Sequence, residues 1–248
     1  MLRLIVLGSG DAFGSGGRNF SGFLLTDGNF HVLLDCGPST LPALKAKGLD
    51  PAQVKMILVS HCHGDHFGGI PFFFIDYQFI SERTSPLVIA GPEGIEQRCD
   101  DLIRAAYPDI LKAHKWRFQV RYMELMPGED VREGDITIET FAMEHGAIPA
   151  RGYRIGWKGV KVGYTGDTRW TTEIPRLARG CDLLLCECFF FQEDHHSHIR
   201  YTDLALHRGE LDAKRIVLFH LGPEMMQHMD RVELEVAHDG MVMEIDSP

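Results

Sequence analysis

The stretch that decides the fold is Met56-Ile57-Leu58-Val59-Ser60-His61-Cys62-His63-Gly64-Asp65-His66. An apolar, strand-like run passes directly into six residues that hold three imidazoles and a carboxylate. His61 and His63 are two apart, so an extended turn can aim both at one ion. Asp65 and His66 follow Gly64, which is read as a sharp backbone turn that aims them elsewhere. One short loop could then serve two neighbouring metal positions. The competing reading is a histidine-rich surface loop, but these ligand types at these offsets behind an apolar strand rarely arise without a metal.

The rest of the chain bounds what such a cluster can do. There are 248 residues, enough for one large core or two small ones, and 44% are hydrophobic against 24% charged, which argues against disorder. Lys and Arg number 25 against 35 Asp and Glu, a formal net charge of −10 that speaks against a surface coated with phosphate-binding cations. The 13 histidines are the distinctive count. Histidine is the commonest metal ligand and the usual acid or base near neutral pH. The first residues read as a β-strand, too short in apolar content for a signal peptide, and no run is long enough to span a membrane. The six cysteines show no disulfide spacing, which with the absent signal predicts reduced thiols and a cytoplasmic location.

No repeat or linker divides the chain, so residues 1–248 are expected to form a single domain. Strands are predicted over 2–7, 22–26, 31–35, 55–60 and 86–90, then over 118–125, 136–143, 153–157 and 160–164, and later over 182–186 and 215–219. Helices are predicted over 39–47, capped by Ser39 or Thr40 and stopped by Gly48, over 92–106 with Pro92 near the first turn, and over 172–179 and 202–208. Residues 235–245 read as a hairpin around Asp239-Gly240. Two β-rich halves, each followed by helices, suggest an α/β fold of four layers, an αβ/βα sandwich, although the pattern also allows other α/β or α+β folds.

His-x-His-x-Asp-His after a strand resembles the metallo-β-lactamase superfamily, and the remaining motifs of that family occur in order. Asp35 closes an early strand in Leu34-Asp35-Cys36-Gly37; His145 follows the cluster after about 80 residues; Gly166-Asp167-Thr168 matches literally; and His220 ends a late strand. The resemblance implies that His61, His63 and His145 hold one divalent ion, that Asp65, His66 and His220 hold a second, and that Asp167 bridges. Asp35 is then expected to order the cluster loop without binding metal, and Cys62 to point into the core. Imidazoles and carboxylates suit Zn²⁺, the expected metal, and also Mn²⁺ or Fe. Two such ions can share a hydroxide that is nucleophilic at neutral pH.

Three features resemble the ribonuclease Z and phosphodiesterase branch of the superfamily: the full Asp65-His66 pair, the glycine-rich stretch 8–18 ending in Arg18, and His198, 22 residues before His220. In that branch a histidine at this spacing is the general acid that protonates the leaving alkoxide, and Glu187 matches the glutamate that orients it. His198, Asp65 and Glu187 are therefore the expected catalytic set. Arg18 could face a phosphate, or the glycines could form a plain turn. Arg151, Arg154 and Arg169 could meet an anion, although surface ion pairing is the better reading of each.

Two departures redirect the substrate. Arg200 stands where ribonuclease Z commonly has Thr, and only 22 residues separate His145 from Asp167, which leaves no room for the basic arm that grips tRNA. Residues 14–30 also lack the cysteines of a related zinc-bearing phosphodiesterase. The expected function is a dinuclear metal-dependent phosphodiesterase acting on a small phosphodiester, with a long nucleic acid and a membrane not favoured and a homodimer left open. The alternatives are a thioesterase or lactonase on the same metals, then a di-iron redox enzyme or a binding protein. After Phe67, Gly68 and Gly69 read as a tightly packed helix start, with the aromatics 72–74 mostly in the core. His31, His114, His195, His196, His207, His228 and His238 carry no assigned role.

Overall fold

The computed structural model describes residues 1–110 and 115–246. Two seven-stranded sheets lie face to face. The first runs β14-β1-β2-β3-β4-β5-β6 and the second β13-β12-β11-β10-β9-β8-β7. The first is built from β1 (Leu2–Gly8), β2 (Gly22–Thr26), β3 (His31–Leu34), β4 (Val54–Leu58), β5 (Leu87–Gly91), β6 (Val120–Glu124) and β14 (Val242–Ile245). The second holds β7 (Asp130–Glu133), β8 (Ile136–His145), β9 (Ile148–Trp157), β10 (Val160–Tyr164), β11 (Leu183–Glu187), β12 (Ile216–Phe219) and β13 (Glu235–Val236). Strands β3 to β6 are parallel, as are β10 to β13.

The strands read as nearly continuous apolar runs because both faces of each sheet are covered. Leu4, Val6, Val32, Leu34, Met56 and Leu58 face the second sheet and meet Tyr153, Ile155, Val162, Leu185 and Phe219 in one central core. The alternate residues Ile5, Leu7, Leu33, Ile57 and Val59 pack outward, against α1 (Thr40–Ala46), α3 (Ile70–Phe79) and α4 (Ile95–Ala106). A third cluster joins the outer face of the second sheet to the helices Glu173–Ala178, Tyr201–Leu206 and Pro223–Gln227. Helix, sheet, sheet, helix is the four-layer sandwich expected from sequence.

Several local readings change. Residues 235–245 do not form a hairpin: β13 pairs with β12 in one sheet and β14 with β1 in the other. The Asp239-Gly240 turn carries the chain across, because the Asp239 carboxylate accepts the Ser9 and Asn19 amides and the Gly240 amide donates to Val6 O. Helix α4 begins at Ile95, after left-handed Gly94, so Pro92 lies outside it. Ser39 occupies the cap position of α1, but its hydroxyl makes no capping bond, and left-handed Gly48 ends the helix region as expected. Strand β7 was not foreseen, and β9 begins at Ile148 because it pairs with β8 along its whole length. The turn at Lys158-Gly159, with both residues at positive φ, closes the β9–β10 hairpin in two residues.

Candidate metal centre

The candidate metal ligands, Asp35 and Glu187 sit at or just beyond the carboxyl ends of strands, at one end of the sandwich, and His198 reaches the same place from the segment between β11 and the helix Tyr201–Leu206. Strand β3 delivers Asp35, β4 the cluster 61–66, β8 His145, β10 Asp167, β11 Glu187 and β12 His220. Backbone bonds tie the two sheets together here: Arg151 N donates to Ser60 O and His220 N to Ser9 O, each at 2.9 Å.

Asp65 and His66 lie in a single helical turn, α2 (Gly64–Phe67), not in an irregular loop. Gly64 does not have a positive φ, and a side chain there would meet open space, so its glycine freedom is not what aims the two ligands. The helical turn itself redirects them. The necessary glycines lie elsewhere. A Cβ on Gly69 would stand 2.2 Å from Gly37 O, which lets α3 start against the 35–37 loop as expected. Gly166 has φ 58 and a Cβ there would meet the Ser60 Cβ at 2.5 Å, so only glycine lets Asp167 approach the cluster.

The side chains assemble into two adjoining groups, His61 with His63 and His145, and Asp65 with His66, Asp167 and His220, each with its candidate ligand atoms within 4.8 Å of one another. His145 Nδ1 is 2.8 Å from Ser197 O and must donate to it, so Nε2 carries the lone pair. That nitrogen lies 3.1 Å from His63 Nδ1. Asp167 Oδ2 is 3.1 Å from His220 Nε2, 3.3 Å from His66 Nε2 and 3.9 Å from His145 Nε2, which puts it between the groups.

The chemistry of these atoms fits bound cations. His61 Nε2, His66 Nε2 and Asp167 Oδ1 are buried without hydrogen-bond partners. Each such atom costs about 1–3 kcal/mol unless something satisfies it. Burial pushes His61, His63 and His145 below the ordinary imidazole range and His220 down to about 4, so these rings are neutral with lone pairs free at neutral pH. Burial also works against charge on Asp167, but His220 and His66 outweigh it and hold its carboxyl well below the usual range. His66 shows the converse. Burial disfavours its charged form, yet Asp167, Asp65 and Asp35 surround it and raise it well above 6.5. The pocket calls for positive charge.

Asp35 touches His66 Nδ1 at 2.6 Å, Ser60 N at 2.6 Å and Ser60 Oγ at 2.7 Å, and also accepts the Tyr164 hydroxyl. It orders the cluster from behind. Cys62 is half-buried against the outer apolar cluster, and burial lifts its thiol to about 11, as its expected inward direction requires. His198 lies 3.1 Å from Glu187 Oε1 through Nδ1. Glu187 is fully buried and its carboxylate also accepts the Thr168 and Phe189 amides. Burial opposes charge on His198, but Glu187 outweighs it and holds the imidazole up at about 9. A bound cation would act in the opposite sense.

The pocket over these groups has a volume of about 230 Å³, and Phe13, Phe189 and His198 form one wall. Phe189 stacks on His198 at 4.7 Å, and Phe13, 78% exposed, meets Phe189 edge-on. Among the described residues no Lys or Arg lines it. Arg18 bonds Ser9 Oγ and Ala237 O, Arg151 pairs with Glu93, Arg154 with Glu139, and Arg169 with Glu144. The glycine-rich stretch folds around Asp11, whose carboxylate accepts the Phe13 and Ser15 amides, and so presents no open cradle of amides. Ion pairing is the reading that holds for the three later arginines. His195 and His196 sit exposed at the rim, His31 bonds Thr26, and His207 and His228 stack on Trp170 and Phe191. His238 is exposed and His114 lies outside the described residues. Sequence reasoning passed over Ser60, Ser21, Tyr164 and Phe13. Only Ser60, adjacent to the cluster, carried a local signal.

Fold and site together define a metal-dependent hydrolase of the metallo-β-lactamase fold. The chain is 26% identical to ribonuclease Z of Clostridium perfringens, over 90% of this chain and 89% of that one. It superposes on the crystal structure of the short form of human tRNase Z with a TM-score of 0.80 at 25% identity, covering 98% and 99% of the two chains. The metallo-β-lactamase fold protein YhfI of Bacillus subtilis gives 0.79 at 22% identity, with 98% of each chain covered. The family model described as anti-Pycsar protein Apyc1 matches residues 2–241, and the chain belongs to that family. Among the described residues no helix is long and apolar enough to cross a membrane.

Proposed function

We propose that the protein is a dinuclear metal-dependent phosphodiesterase acting on a small phosphodiester. His61, His63 and His145 hold one divalent ion, Asp65, His66 and His220 the other, and Asp167 serves both. Zn²⁺ is the expected ion, with Mn²⁺ or Fe suiting the same donors. Bound there, the ions would supply Lewis acidity and activate water as the nucleophile at neutral pH. The same ions would meet a phosphate's need for positive charge, since among the described residues no Lys or Arg lines the pocket.

The observation that carries the reading is the Glu187–His198 pair. With Nδ1 committed to Glu187, His198 turns Nε2 toward the pocket, and one of its ring nitrogens lies within 4.8 Å of ligand atoms of His145 and Asp167. A protonated imidazole there can give its Nε2 proton to a departing alkoxide oxygen, and Glu187 keeps the ring charged and oriented. A thioester or lactone has less need of such an acid, because its oxyanion forms on the carbonyl and can be held electrostatically. His195 and His196 are left to the solvated rim.

Relatives named ribonuclease Z bring tRNA forward as the rival substrate. The two-residue β9–β10 turn, the net charge of −10 and an alignment of 284 positions, longer than this chain, support the loss of an arm and a small substrate. Six free cysteines, five of them buried, fit a reducing cytoplasm.

The test is hydrolysis of bis(p-nitrophenyl) phosphate and of alkyl phosphodiesters by protein loaded with Zn²⁺ or Mn²⁺, beside thioesters, lactones and a precursor tRNA. The reading requires phosphodiester cleavage that His198→Ala lowers most for the poorer alkyl leaving group. Full metal loading with activity only on carbonyl esters, unaffected by that change, would overturn it.

A further inference from the structure

Four imidazoles offer Nε2 to the centre, and what holds each Nδ1 differs. His66 has the Asp35 carboxylate and His145 has Ser197 O, both already described. His61 Nδ1 lies 3.0 Å from Ser60 Oγ, and His220 Nδ1 lies 3.2 Å from Ser21 Oγ. Both serines are fully buried. A hydroxyl has a single proton to donate. Ser60 gives its proton to Asp35 Oδ2 at 2.7 Å, and Ser21 gives its own to Gly10 O at 3.0 Å. Each oxygen can therefore only accept from its histidine. That puts the imidazole proton on Nδ1 and leaves the Nε2 lone pair facing the centre.

We propose that Ser60 and Ser21 are positioning residues, one for each metal group, and that Ser60 extends the Asp35 charge to His61. Asp35 then supports both groups, one directly through His66 and the other through a single hydroxyl. The Ser21 chain ends on a neutral carbonyl and supports only the group containing His220. This inference rests on the proposed metal assignment.

Partners behind a ligating histidine typically change metal affinity 10- to 100-fold. Ser60→Ala is expected to weaken Zn²⁺ binding about tenfold or more at the His61 group, with the other group changed less than about threefold. Ser21→Ala should do the reverse. Lys158→Ala, at the far end of the sheets where Lys158 pairs with Asp27, should leave both groups within about threefold. Stepwise dissociation constants from chelator competition, with anomalous occupancies of each group at limiting Zn²⁺, read the split. Melting of the metal-free variants separates a folding defect, and the two serine variants test the idea independently. Equal weakening of both groups by either variant, or no weakening when the wild type binds two ions, overturns the proposal. A wild type that binds no Zn²⁺ would instead overturn the metal assignment beneath it.

Discussion

The two ends of the same strands are built to opposite rules. At the end away from the metal groups, tight turns satisfy themselves. Asp27 accepts the Asn29 and Phe30 amides and pairs with Lys158 across the two sheets, while Phe30 meets Trp157 edge-on. At the metal end, the partnerless atoms His61 Nε2, His66 Nε2 and Asp167 Oδ1 crowd one pocket, and Asp35 and His220 are held at φ 57 and 60 in buried positions. At the far end, by contrast, Lys158 takes φ 52 in an exposed two-residue hairpin turn that calls for it, and the unpartnered His31 Nε2 stands apart from any such cluster. Non-glycine residues in that region cost about 1–3 kcal/mol each, and they persist only where surrounding structure over-determines them. The comparison teaches where stability has been given up for function. One end closes the fold, and the other holds groups that a cation would satisfy.

The largest break in that contrast should come at Asp167. Asp167→Ala is expected to lose an ion, read by metal analysis, and to lower kcat/KM by more than about 100-fold, beyond the range of residues that only support ligands. Chelation of the wild type should abolish activity and lower Tm, with both restored by Zn²⁺. Unchanged metal content and turnover in Asp167→Ala would end the dinuclear reading.

His198→Ala comes next. Loss of a general acid costs about 10²- to 10⁴-fold, more for an alkyl than for a p-nitrophenyl leaving group, with metal content unchanged. Equal losses on both esters would point to a structural role. Glu187→Gln should do less at neutral pH but move the pH profile. The carboxylate raises the His198 pKa, so it carries the protonated acid to higher pH than the imidazole would reach without it. Without the carboxylate the alkaline limb of kcat should shift to lower pH, and a limb that stays in place or rises would contradict the role.

The smallest effect belongs at the other end. Lys158→Ala should leave kcat and KM unchanged and cost about 0.2–1 kcal/mol by urea denaturation, as exposed ion pairs do. Asp27 has its pKa lowered to about 2 from 3.8, with burial opposed by Lys158 and the backbone amides. A depressed carboxylate contributes stability above its unfolded pKa and loses it as pH falls through the folded one. The difference between wild type and Lys158→Ala should therefore be full at pH 7 and shrink between about pH 4 and pH 2. A large activity loss in this variant would erase the distinction between the ends.

Much of this was legible because short-range patterns carried it. An apolar strand running into His61, His63, Asp65 and His66 marks a local chemistry, and Asp35, His145, Asp167 and His220 each stand at a strand end that alternation could locate. What misled were features decided at a distance. The tail looked like a hairpin, since Asp239-Gly240 is a good turn, but the Ser9 and Asn19 amides pull Asp239 to the opposite sheet. Gly64 looked essential because it sits inside the motif, whereas the close approach falls at Gly69 and Gly166. Arg18 could be read as facing a phosphate or as part of a plain turn, and its guanidinium is bonded to Ser9 and Ala237.

The sequence by itself determined the strand and helix runs, the donor types and the strand ends that carry them, because periodicity and donor chemistry are written in neighbouring residues, while the four layers were one of several arrangements those runs allow. The tertiary structure alone decided that Asp167 lies within 4 Å of candidate ligand atoms from three other strand ends, that His198 faces the pocket with Glu187 behind it, and that Ser60 and Ser21 lie against Nδ1 of His61 and His220. Those contacts join residues as many as 199 positions apart. Only the packing of two sheets against one another sets such distances.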